Sequence, residues 1–127
     1  MPLDGRTFAS TGNTADGQVG PATRFHYRED GPVVWADYAG GDIVRGHLVG
    51  TRSGDRLDIR YVHLDRSGET ASGHCLSRVE VLPDGRVRLL EYWSWESRPG
   101  SGRSTVEEPS GGDEAQAALP EPRQGGA

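Results

Sequence analysis

The chain has no lysine: all fourteen basic residues are arginine, set against nineteen acidic residues for a net charge of −5. Without lysine there is no Schiff-base or lysine-nucleophile chemistry. An acidic balance also argues against a nucleic-acid partner, whose phosphates need a basic surface. Cysteine occurs once, as Cys75, so no internal disulfide can form. No apolar run approaches the roughly 18 residues of a membrane-spanning helix, so no membrane partner is expected. The opening MPLDGRTFAS lacks the basic start and apolar stretch of a secretory signal. Together these absences make the cytoplasm the expected location. Long runs of helix formers are missing too. Gly takes 19 of 127 positions and Pro 8, which excludes a helical bundle or a coiled coil.

What is present is enough for one thin core, since 33% of the residues are apolar. Residues 1–108 are expected to form a single β-barrel domain. After Glu108 the composition changes. Residues 109–127 carry no aromatic and no β-branched side chain and read as a disordered tail, unable to bury enough apolar surface to offset the entropy of ordering.

Within 1–108 the chain alternates between short apolar runs and turn residues. The runs are Arg6–Ser10, Ala22–Arg28, Val33–Ala39, Ile43–Gly50, Arg56–Leu64, Thr70–Leu82, Arg86–Trp95 and Arg103–Glu107. Between them lie GNTADGQVG, EDGP, GGD, TRSGD, DRSGE, PDG and SRPGSG, which supply Gly, Asp, Asn or Pro for tight reversals. Gaps this short join antiparallel neighbours. The expected fold is therefore all-β, an eight-stranded antiparallel up-and-down barrel. Closing the sheet removes both edges, and a sandwich is the rival arrangement.

Period-two alternation assigns the faces, with the Arg-bearing side turned outward. The interior then takes Phe25 and Tyr27; Val34, Ala36 and Tyr38; Gly46 and Leu48; and Leu57, Ile59, Tyr61 and His63. It also takes Gly73, Cys75 and Ser77, and finally Val87, Leu89, Glu91, Trp93 and Trp95. Trp35 falls on the outside with Val33, a candidate patch for a homo-oligomer. An eight-stranded barrel either fills itself or holds one small ligand. Aromatic walls with a few polar groups, and Gly46 and Gly73 leaving space, suit a cavity for an unidentified small molecule.

Several stretches carry a family resemblance: FHYRED (25–30), YAGGDIVRGHLVG (38–50), DIRYVHLDRSGE (58–69), GHCLSRVEVLPDGRVRLLEYWSW (73–95) and STVEE (104–108). In this order they resemble a family of small bacterial proteins commonly labelled "n-acetylglutamate synthase". The resemblance implies an avidin-like or lipocalin-like barrel of the calycin type. The label itself does not fit the residues. An acetyltransferase of that kind needs a Gly-rich turn opening a helix to cradle a pyrophosphate, and the Gly pairs here sit in hairpin turns.

Glu91 is the most informative candidate. A lone interior carboxylate costs several kcal/mol unless it is paired, hydrogen-bonded or protonated, so it reads as a ligand anchor, a general base or a satisfied structural group. Tyr27, Tyr38, Tyr61, Trp93 and Trp95 form a stacking box or an ordinary core; beside Glu91 the box would suit a flat or cationic ligand. His63, the one interior histidine, is a partner for Glu91 or a tyrosine. Cys75 reads as an apolar filler, or as a nucleophile with His63 as base. The ligand-binding set is thus Tyr27, Tyr38, Tyr61, His63, Cys75, Glu91, Trp93 and Trp95. No metal is expected, because adjacent strand residues such as His74 and Cys75 point to opposite faces, and no cofactor is implied. Three functions share this cavity: a binding protein, an enzyme using Glu91 as base, and a filled structural barrel.

Overall fold

The computed structural model describes residues 1–13 and 17–110. Residues 111–127, most of the expected disordered tail, lie outside the described part. The eight strands are β1 (Thr7–Asn13), β2 (Arg24–Asp30), β3 (Val33–Gly40), β4 (Ile43–Ser53), β5 (Arg56–Asp65), β6 (Thr70–Val81), β7 (Val87–Trp95) and β8 (Ser101–Glu107). Each pairs antiparallel with the next, and β1 pairs with β8 to close the barrel. The sheet has no free edge, which is how a short chain satisfies its backbone groups without a second layer.

Of the strand boundaries that move from the expected ones, two do so for reasons visible in the register. The residues Thr51–Ser53 read as a turn; instead they extend β4, pairing with Asp58, Leu57 and Arg56. The reversal tightens onto Gly54, whose φ of 63° is the left-handed conformation that such a turn requires. Strand β1 likewise runs past Ser10 to Asn13, through a bulge between Ser10 and Gly12 opposite β8. The extra residue re-aims the strand end.

The expected faces hold. Tyr27, Val34, Leu57, Leu89 and Val106 are fully buried, while Trp35, Val49 and Tyr92 are exposed on the outside. Trp35 and Val49 face one another across β3 and β4. Each buried Leu or Val stabilises the barrel by roughly 1.5–3 kcal/mol. Three outward arginines are ion-paired across or beside the strands: Arg28 with Asp4 at 3.1 Å, Arg60 with Glu96 at 3.2 Å, and Arg88 with Glu80 at 2.8 Å.

The two ends differ. One end is filled by Leu3, Phe8, Val34, Leu57, Val87 and Leu89. Leu3 is held there by its N–H, which donates to Glu29 Oε1 at 2.7 Å, while the Gly5 N–H donates to the Tyr27 carbonyl at 2.9 Å. The other end gathers the ends of β1, β3, β5 and β7 and carries the polar and aromatic residues.

Candidate functional site

At that second end lies a cavity of about 50 Å³, lined by aromatic residues Phe25, Tyr38, Tyr61, Trp93 and Trp95, by polar residues including His63 and Glu91, and by Gln18 and Val19. It is far below the roughly 300 Å³ of a site for a drug-sized ligand. A few waters or a very small molecule fit.

The aromatic walls follow from strand parity and from two glycines. A Cβ at Gly46 would strike the Tyr38 ring, and one at Gly73 would strike the Tyr61 hydroxyl and the Ser94 carbonyl. The space these glycines leave is therefore taken by the two tyrosine rings, which lie against the strands. Tyr38 stacks on Phe25 with centroids 4.7 Å apart. Trp95 meets Tyr61 at 5.8 Å, His63 at 5.7 Å and Trp93 at 5.4 Å. The Arg98 guanidinium lies 5.1 Å from the Trp95 ring centre.

Two separate polar systems meet in the cavity. The first runs across the mouth. Asp65 Oδ2 accepts the Gln18 side-chain amide at 3.0 Å, and its Oδ1 accepts the Ser67 N–H, the Ser67 hydroxyl and the Glu69 N–H. These bonds, from the Ser67 hydroxyl and Gln18 above all, hold the Asp65 carboxyl well below the usual carboxylate range. An ionised carboxylate only accepts, so the Gln18 nitrogen faces Asp65 and its oxygen faces His63 Nε2, 2.8 Å away. His63 therefore carries its hydrogen on Nε2. Burial lowers its pKa, so Nδ1 is a bare acceptor and takes the Tyr38 hydroxyl at 3.0 Å. The chain is directional: Tyr38 to His63 to Gln18 to Asp65.

The second system is Glu91. It is nine-tenths buried, and the Ser104 hydroxyl on β8 donates to its Oε1 at 2.7 Å. Among the described residues that is its one hydrogen bond. Burial pushes its pKa up to about 7, and the Ser104 bond opposes the rise. The second oxygen, Oε2, has no hydrogen-bond donor among the described residues. At neutral pH the cavity thus holds a carboxylate poised between its two charge states.

The residues expected in the site are brought together, with one exception. Tyr38, Tyr61, His63, Cys75, Glu91, Trp93 and Trp95 all line the cavity. Tyr27 is not part of the wall. It is fully buried, set edge-on to Phe8 with ring centres 5.3 Å apart, and its hydroxyl has no partner among the described residues. Of the two partners foreseen for His63, the structure gives it a tyrosine, Tyr38, and not Glu91. Cys75 contacts Ser77 at 3.5 Å, and burial raises its thiol well above the usual range. A proton acceptor for that thiol is not provided by His63, both of whose ring nitrogens are engaged. Among the described residues no three His, Cys, Asp or Glu side chains cluster as metal ligands.

Asn13, Gln18, Val19 and Ser104 also line the cavity, and Asp65 bonds Gln18 at its mouth, beyond the set that the sequence singles out. Asn13 accepts the Trp93 indole N–H at 3.1 Å and donates to the Val19 carbonyl at 3.1 Å. It thereby ties the segment after β1 to the mouth. The parity of β5, carried one residue past Leu64, would have found Asp65, and that of β8 would have set Ser104 beside Glu91, its register partner.

A family profile described as Avidin-like protein matches residues 1–109. No curated protein and no solved structure matches the chain.

Proposed function

Because the chain belongs to the avidin-like family, we propose that the barrel binds a small molecule in the cavity at its open end. Tyr38, Tyr61, Trp93 and Trp95 form the walls, and Glu91 is the polar anchor. The observation that carries this reading is the bare Oε2 of Glu91. A filled structural barrel has no use for a nine-tenths buried carboxylate with a single hydrogen bond, because burying a poorly satisfied carboxylate opposes folding. A bound group that completes its hydrogen bonds accounts for its presence.

The free volume of about 50 Å³ bounds the ligand, or the part of it that enters. Anything larger has to displace Gln18 and Val19 from the mouth. Cys75 supplies a small apolar surface, and His63 positions the Tyr38 hydroxyl.

A native mass spectrum of the protein purified from its own host tests the reading. A stoichiometric extra mass is expected on the wild type and a smaller occupancy on Glu91→Gln. A bare wild-type mass, together with Glu91, Trp93 and Trp95 NMR signals indifferent to a panel of fragments, would overturn it.

A further inference from the structure

We infer that the occupant of this cavity is a small organic cation bearing N–H donors, of the amidinium or guanidinium kind, held by Glu91 and the aromatic walls. The inference rests on the binding reading above and deepens it by a count of donors and acceptors.

Four of the donors that line the cavity are turned to protein acceptors. The Tyr38 hydroxyl donates to His63 Nδ1, Tyr61 to the Ser94 carbonyl at 3.4 Å, Trp93 to Asn13, and Ser104 to Glu91. What those groups leave for a ligand is acceptors: Glu91 Oε2 and the lone pairs of the Tyr38 and Tyr61 oxygens. At these groups, with Glu91 ionised, an acceptor-only ligand would meet oxygen with oxygen. A ligand with several N–H groups meets complementary sites on β7, β3 and β5.

Charge points the same way. Among the described residues no arginine lines the cavity, and the one histidine there is neutral by the hydrogen bonding described. An anion would face the ionised Glu91, with Arg98 at the rim as the nearby cation. A cation would be held by Glu91 and by the faces of Tyr and Trp rings, an attraction strengthened where water is excluded. The molecule already shows this contact at the rim, where the Arg98 guanidinium lies over Trp95.

The groups acting on Glu91 fix the expected pH dependence. Facing it are Tyr27 of β2, Tyr38 of β3, Tyr61 of β5 and Cys75 of β6, all pushed by burial to higher pKa and so neutral across the physiological range. His63 of β5 titrates below its ordinary value. Glu91 is then the group that gains charge near pH 7, and a cation should bind better above that pH.

Acetamidinium, acetamide and acetate share one shape and differ in charge, which makes them the probes. Binding is read from the indole N–H resonances of Trp93 and Trp95. Acetamidinium should shift both saturably, acetamide should bind about tenfold more weakly, and acetate should leave them unmoved. Raising the pH from 5.5 to 8.5 should tighten acetamidinium by about tenfold or more. Glu91→Gln should weaken it by roughly tenfold to a hundredfold and abolish the pH effect. If that variant fails to fold, the wild-type pH series carries the test. Entry of acetamide or acetate at equal or better affinity would overturn the cation and leave the cavity reading standing. No shift from any probe would also overturn it, while an extra mass in the host-purified protein would still support the cavity.

Discussion

The Ser104 hydroxyl and Glu91 Oε1 form a 2.7 Å hydrogen bond between neighbouring strands, and among the described residues it is the one contact opposing the effect of burial on that carboxyl. The folded pKa of about 7 lies above the ordinary 4.5. Between these two values the unfolded chain gives up the proton first. The stability contributed by Glu91 therefore falls as pH rises from 4.5 to 7, by about 3 kcal/mol in total, while His63, whose pKa burial lowers, acts in the opposite sense. Glu91→Gln keeps the acceptor for Ser104 and removes the charge. It should match the wild type near pH 4 and be more stable by up to about 3 kcal/mol at pH 8, measured by urea unfolding across that range. Ser104→Ala should move the wild-type transition to higher pH.

Asp65 has the opposite sign. Its folded pKa is depressed by the hydrogen bonds it accepts, so its stabilisation is complete above the unfolded value, about 3.9, and is lost as pH falls through the folded value. Asp65→Asn replaces an acceptor by an amide nitrogen facing other donors. It should lower the unfolding midpoint at neutral pH, with the difference from wild type shrinking in acid. Equal midpoints at pH 7 would show that the turn and Gln18 do not depend on the carboxylate.

Gly73 leaves no room for a methyl group. A Cβ there meets the Ser94 carbonyl as well as the Tyr61 hydroxyl, and backbone on a neighbouring strand cannot rotate away. Gly73→Ala should cost about 1–3 kcal/mol. Gly12→Ala, with nothing near the new atom, should change stability by less than about 0.5 kcal/mol. Denaturant titration of the two variants side by side makes the comparison.

Tyr27 carries a hydroxyl with no partner among the described residues. Tyr27→Phe should therefore stabilise the protein, by about 1 kcal/mol, because a polar group is no longer stripped of water without compensation. A loss of stability on the same substitution would reveal an internal partner for the hydroxyl, which a crystal structure could then locate.

Regular strands made much of this site legible. Leu89, Glu91 and Trp93 alternate with Arg88, Leu90 and Tyr92, and one turn of parity puts Glu91 inside. Parity fails where regularity does. Asn13 reaches the mouth through a bulge, and a two-residue period cannot foresee an inserted residue. Gln18 and Val19 stand in a run of turn-forming residues, GNTADGQVG, which signals a reversal but not which surface the reversal packs against. Asp65 looked like the first residue of a turn; it is also the last of its strand, and both roles are real. Tyr27 shows the limit from the other side: its inward direction was readable, but not whether it reaches the cavity or stops short of it.

The pairing of β1 with β8 also bears on how the chain reaches its fold. Arg6 and Glu108 meet at 2.8 Å across 102 residues of sequence, whereas every other strand pair is joined by a local reversal. The hairpins from β2 to β8 can form in succession, each closing a short loop. The final ring closure must bring together segments from opposite ends of the domain, and it gains nothing until the intervening strands have curved enough to present both partners. The seam between first and last strands is thus the pairing that carries the largest loop-closure cost in the barrel.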